Sequence, residues 1–233
     1  MLLLSLLLRY RGWDVVYLGA NVPLSQLEST LEAVKPELVI LSAQRLQTAA
    51  TLAQTAELLH KRRVNSAYGG SIFNLTPGLR QRVYSHFLGE SIEDAVTAIG
   101  QIMTFKPSVS HIEPVSDVYE QASLNYRVKR NLIELDTMQM LESKKSYFEF
   151  LDKTNSRLAR DILAALQLGD MNFINPEMKL SQKLISNYGI SQNWQTSYFD
   201  AYFRAVEKNL NEVGTPIIEW LDRVRSDLQL AQA

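Results

Sequence analysis

The sequence predicts an α/β domain built on a parallel sheet, followed by an all-α helical bundle. Three observations predict it. Short β-rich runs alternate with helical patterns of about 10–15 residues through the first hundred residues, as strands joined by crossover helices do. Leu38-Val39-Ile40-Leu41 is a continuous apolar run, as in a strand buried on both faces. From about Ala122 to the end the periodicity is helical throughout.

The elements follow in order. MLLLSLLLRYRG reads as a first helix, since Arg9 and Arg11 followed by Gly12 form a helix-stop signal. Asp14–Gly19 is β-rich and predicts a strand. Asn21-Val22-Pro23-Leu24-Ser25 opens a helix running to about Val34. The Leu38–Leu41 strand closes on Ser42-Ala43, and a helix runs from about Thr48 to Arg62. A short strand near Ser66-Ala67-Tyr68 ends in Gly69-Gly70. Thr76-Pro77-Gly78 starts another helix. Phe87-Leu88-Gly89 is a last short strand, and Ser91 to Met103 a final helix. This sets a first domain at 1–103. Residues 104–119 carry Pro107, Pro114 and several serines, and read as a linker. Residues 120–233 form the bundle. Gly169-Asp170 and Tyr188-Gly189 break its helices, Asn175-Pro176 restarts the pattern, and Thr215-Pro216 begins the last helix.

Composition narrows the function. The 233 residues carry a net charge of −1, so no global field points to nucleic acid or an anionic membrane. The chain has no cysteine, which excludes disulfides, thiolate metal sites and a cysteine nucleophile. MLLLSLLL is far short of the roughly 20 residues of a membrane helix, and no basic stretch precedes it as in a secretion signal. A cytoplasmic protein without membrane or direct nucleic-acid contacts is expected. No carboxylate pair, Ser-His-Asp set, phosphate loop or dinucleotide fingerprint stands out. His60, His86 and His111 are the only histidines, and none has an evident metal-binding partner. Tyr198, Phe199, Tyr202 and Phe203 lie at helical spacing, as a core stripe does.

Ligands of open parallel sheets sit beyond the C-terminal strand ends. Here those ends are Gly19-Ala20-Asn21, Ser42-Ala43-Gln44, Gly69-Gly70-Ser71 and Phe87-Leu88-Gly89. Paired glycines let a ligand approach the backbone without a Cβ in the way, and Ser42 adds a small hydroxyl. The same residues are also ordinary turn formers.

Taken in order, Arg11-Gly12-Trp13, VVYLGANVP, LVILSA, AYGG and FLGESIEDAV resemble the cobalamin-binding domain of methionine synthase, methylmalonyl-CoA mutase, corrinoid methyl carriers and light-sensing MerR-type regulators. The resemblance covers roughly the first hundred residues. It implies a flavodoxin-like sheet and cobalamin as cofactor. It places Ser42, Ala43 and Gln44 by the nucleotide tail of the corrinoid, Gly69 and Gly70 along the slot that the tail enters, and Phe87, Leu88 and Gly89 closing that slot. The family's DxHxxG motif, which supplies the cobalt-binding histidine, is absent. The first strand and that motif are expected immediately upstream of Met1, or else a segment such as 105–117 fills the empty strand position. Weak or no corrinoid binding is expected of this chain itself.

Three functions remain open at this point. The first is a corrinoid-binding sensory or regulatory protein. The second is the methyl-carrier subunit of a methyltransferase system. The third is a degenerate domain that keeps the fold and binds a partner protein or haem instead; a partner protein or a homo-oligomer is compatible with all three.

Overall fold

The opening leucines form helix α1 (Leu2–Tyr10). Leu4 and Leu8 lie on one face and enter a core with Ala67, Leu88, Ala95, Val96, Ile99 and Ile102. Leu2, Leu3 and Leu6 remain exposed. Gly12 turns the chain after the helix with φ +86°, a conformation that suits glycine. Arg9 then reaches forward, and its guanidinium donates two hydrogen bonds to the Val15 carbonyl at 2.7 and 3.2 Å. Val15 packs partly buried on the same core. The strand expected over Asp14–Gly19 does not form; residues 13–19 are irregular. The β preference of Val-Val-Tyr is largely a preference for neighbouring strands, and among the described residues no strand pairs with it.

Among the described residues the sheet has three parallel strands in the order β1 (Val39–Ser42), β2 (Ser66–Gly69), β3 (His86–Phe87). Val39 pairs with Ser66 and Ser42 with Gly69; Ala67 pairs with His86 and Tyr68 with Phe87. Ser66, Ala67 and Tyr68 of central β2 are buried, whereas every residue of β1 is only half-buried. The expectation of a Leu38–Leu41 strand buried on both faces is therefore corrected: β1 is half-buried and, among the described residues, lies at the edge of the sheet. Helix α2 (Leu24–Val34) precedes β1, and α3 (Leu46–Lys61) crosses from β1 to β2. Between β2 and β3 come the short α4 (Ser71–Leu75) and a 3₁₀ turn, Pro77–Arg82, where an α-helix was expected. Helix α5 (Ile92–Phe105) follows β3. It opens on a capping box: Ser91 Oγ accepts from the Asp94 amide at 3.0 Å, and Asp94 Oδ2 from the Ser91 amide at 3.1 Å.

The computed structural model describes residues 1–20, 24–109, 112, 114–141, 148–178 and 192–230. The chain divides into two units, Met1–Glu113 and Pro114–Ala233. The helix opening at Asn21-Val22-Pro23, His111, and the break at Tyr188-Gly189 lie outside the described residues.

The second unit is helical. It comprises α6 (Asp117–Leu141), α7 (Phe148–Leu168), a 3₁₀ turn at Met171–Ile174, α8 (Gln192–Leu210), a second 3₁₀ turn at Asn211–Gly214, and α9 (Thr215–Leu230). α6 is the hub, packing on α7, α8 and α9. Tyr126, Ile133, Ile162, Tyr198, Tyr202 and Trp220 are buried. A buried tyrosine hydroxyl needs a partner. Tyr126 and Tyr202 hydroxyls pair at 2.5 Å, and Tyr198 donates to Asn155 Oδ1 at 2.8 Å. The Trp220 indole donates to Asn175 Oδ1 at 2.8 Å. Burial holds all three phenols well above their ordinary pKa, so they stay protonated. Among the described residues, no helix is long and apolar enough to cross a membrane.

Candidate functional site

The C-terminal end of the sheet brings the eight candidate residues onto three neighbouring loops. Ser42, Ala43 and Gln44 follow or end β1, Gly69 and Gly70 end β2, and Phe87, Leu88 and Gly89 end β3. Backbone hydrogen bonds continue past the strand ends. The Ala43 amide donates to the Gly69 carbonyl at 3.1 Å, and the Leu88 amide to the Tyr68 carbonyl at 2.9 Å.

The side chains tie the loops together. Gln44 Nε2 donates to Ser42 Oγ at 3.2 Å, while its Oε1 accepts from Ser71 Oγ at 2.7 Å. Gln44 thus spans the first two loops. Gly70 has φ +124°, and a Cβ there would lie 1.9 Å from the Ala43 carbonyl oxygen. What approaches this glycine closely is the chain's own backbone. Gly89, at φ +95°, would place a Cβ 2.4 Å from Asp94 Cβ, against the α5 capping box. Gly69 lies against Leu88. Ala43 and Leu88 are buried.

Arg80 is the residue that sequence reasoning missed. Its guanidinium sits 4.1 Å from the Phe87 ring centroid, donates to the Phe73 carbonyl at 3.1 Å and pairs with Glu90 at 2.8 Å. Its own carbonyl accepts from the buried Tyr68 hydroxyl at 3.2 Å. Burial raises the Tyr68 pKa far above its ordinary value, with the Arg80 charge opposing it. One arginine thereby fastens β3, α4 and the loop into α5. Arg80 lies in a basic, unpatterned stretch, and no spacing signal marks it.

The histidines do not assemble a ligand set. His60 packs on Tyr84, ring centroids 3.7 Å apart. His86 lies on β3; burial lowers its imidazole pKa, and a hydrogen bond to the Pro107 backbone opposes that. Among the described residues, no three His, Asp or Glu side chains gather where they could hold a metal ion. The chain offers no cysteine to complete such a set. The expectation of cobalamin as cofactor, with cobalt and metal binding, is corrected on this ground. In the second unit, Tyr198, Phe199 and Tyr202 of the aromatic stripe are core, as their helical spacing predicts.

At the opposite end of the sheet, a hollow of about 240 Å³ is bordered by Glu37, Arg63, Asn65 and Lys106. Arg63 and Lys106 both take left-handed backbone conformations just after helices, at φ +57° and +45°. That is the geometry of a helix C-terminal cap.

No protein-family model matches the sequence, and no curated protein matches it significantly.

Proposed function

We propose that the α/β unit is a protein-interaction module whose sheet takes an extended strand from a partner protein along the free side of β1. The observation that carries this reading is the direction of the β1 backbone. The Val39 amide donates to Asn65 and the Ala43 amide to Gly69, both toward β2. Alternation along the strand then turns the N–H and C=O groups of Ile40 and Ser42 the other way. Among the described residues nothing pairs with that side. An unpaired edge is a template for strand addition.

The apolar surroundings support an apolar occupant. Val15, Leu38 and Ile40 are partly buried on one core, so an added strand would complete their cover. Trp13, Val16, Tyr17 and Leu18 are exposed nearby in sequence, with Val16 at 56%. On this reading the unit is a flavodoxin-like sheet with one strand position filled from outside. The Gln44 and Arg80 contacts then hold the loops at the strand ends, and the occupant runs parallel to β1.

Hydrogen exchange on the full chain tests the reading. A synthetic eight-residue Val/Ile-rich peptide is the probe. The Ile40 and Ser42 amides should gain at least tenfold protection with peptide, while Val39 and Leu41, already paired, change little. Ile40→Pro removes the outward donor at an edge position that tolerates proline, and should abolish the protection while the fold persists. Unchanged exchange at Ile40 and Ser42 with millimolar peptide would refute the reading.

A further inference from the structure

Helix α6 buries one face in the bundle and carries a second apolar strip on its outer face. Each residue turns about 100°, so Leu124, Val128, Leu132 and Leu135 fall within an arc of roughly 80°. Tyr126, Ile133 and Thr137, all buried, lie on the opposite side. All four strip residues are more than half exposed, Val128 by 82%. Neutral Gln121, Asn131 and Gln139 fill the rest of the strip. Four large aliphatic side chains in one row form a contiguous patch, unlike scattered surface leucines.

The charges beside the strip select its occupant. Glu120, Arg127 and Glu134 recur every seven residues along one shoulder, alternating in sign. Arg127 makes no ion pair among the described residues. Glu134, its side chain 19% exposed, holds Arg130 through Oε1 at 2.7 Å, and its Oε2 makes no ion pair among the described residues. In an antiparallel helix pair, equivalent shoulders meet. With a two-fold axis crossing α6 near residues 130–131, Arg127 of one copy lies opposite Glu134 of the other, and the contact occurs twice. The same register overlaps the two apolar strips end to end. A membrane surface favours a cationic rim, which two glutamates on this shoulder oppose. A net charge of −1 offers little repulsion between copies.

We propose that the outer face of α6 is the interface of an antiparallel homodimer, sealed by Leu124, Val128, Leu132 and Leu135 and keyed by reciprocal Arg127–Glu134 pairs. The contact is a single helix pair, which places the dimer among concentration-dependent associations rather than obligate ones.

Sedimentation and cross-linking of the full chain test it. The mass should rise with concentration from 26.5 kDa toward twice that value. Val128→Glu, at an exposed position, should keep its circular dichroism and weaken the dimer at least tenfold. Arg127→Glu should weaken it less. The cysteine-free chain permits single-cysteine probes. Asn131→Cys, beside the axis, should form a disulfide-linked dimer under mild oxidation, whereas Gln121→Cys, far from it, should not. Ile40→Pro, which tests the separate strand-addition reading, should leave the dimer intact. A mass fixed at the monomer value overturns the proposal, as does capture of the strip by neutral phosphatidylcholine vesicles without dimerisation. Equal cross-linking at 121 and 131 overturns the antiparallel arrangement.

Discussion

The two units are held together by different means. In the first, tight turns set the loops: Gly70 brings β2 against the Ala43 carbonyl and Gly89 lies against the Asp94 side chain, with Gln44 and Arg80 as exposed or half-buried ties. In the second, side chains do the specifying, through paired tyrosine hydroxyls and an indole bound to Asn175. The contrast teaches where each unit is fragile. A sheet with a two-residue third strand has few side chains to spare, so its turns bear the strain. A bundle spreads its packing along helices of about four turns or more and concentrates its specificity in a few buried polar pairs.

Substitutions sharpen that contrast. The largest effect is expected from Gly70→Ala, which combines a positive φ with a steric clash against backbone. It should cost about 3 kcal/mol or more. Urea denaturation measures the loss, and hydrogen exchange should place it in residues 39–105. Tyr202→Phe strands the Tyr126 hydroxyl in the bundle and should cost about 1–3 kcal/mol, read by the same denaturation. If Gly70→Ala proves milder than Tyr202→Phe, the contrast between the units fails.

Ser91→Ala removes one half of the capping box and should cost about 1 kcal/mol by thermal melting. The box also ties stability to acid. Hydrogen bonds from Ser91 hold the Asp94 carboxyl below its ordinary pKa, and Lys208 with Asn209 does the same for Asp136 in the bundle. A lowered native pKa contributes stability above the ordinary value of 3.8 and loses it as pH falls through the native value. Both units should therefore melt at lower temperature at pH 3 than at pH 6, and Asp136→Asn should shrink that difference. The smallest effect is expected at Gly100 within α5, where an added Cβ meets nothing. Gly100→Ala should stabilise by about 0.5–1 kcal/mol.

The alternation of strands and helices was legible because its elements answer to local periodicity. Val39–Ser42, Ser66–Gly69 and Leu46–Lys61 lie where the pattern puts them. Asp14–Gly19 was misread for a physical reason: a strand is completed by its neighbour, and composition does not report whether the neighbour is there. For the same reason Leu-Val-Ile-Leu suggested cover on both sides and proved to be an edge. Gly69-Gly70 reads as room for a ligand or as a turn, since a glycine pair signals only that something comes close; that Ala43 approaches Gly70 needs coordinates. Ser91 three residues before Asp94 was a readable cap that periodicity alone passed over. Arg80 works through tertiary contacts with Phe87 and Glu90 and leaves no mark in spacing.

The Arg9 grip on the Val15 carbonyl ties the leading helix to the irregular stretch that follows it. Displacing that stretch must therefore tug the helix too, so a dye attached near Tyr10 becomes a remote gauge of movement at Val15. Trading Arg9 for Lys, which lacks the forked head, should uncouple the gauge while leaving the leucine contacts in place.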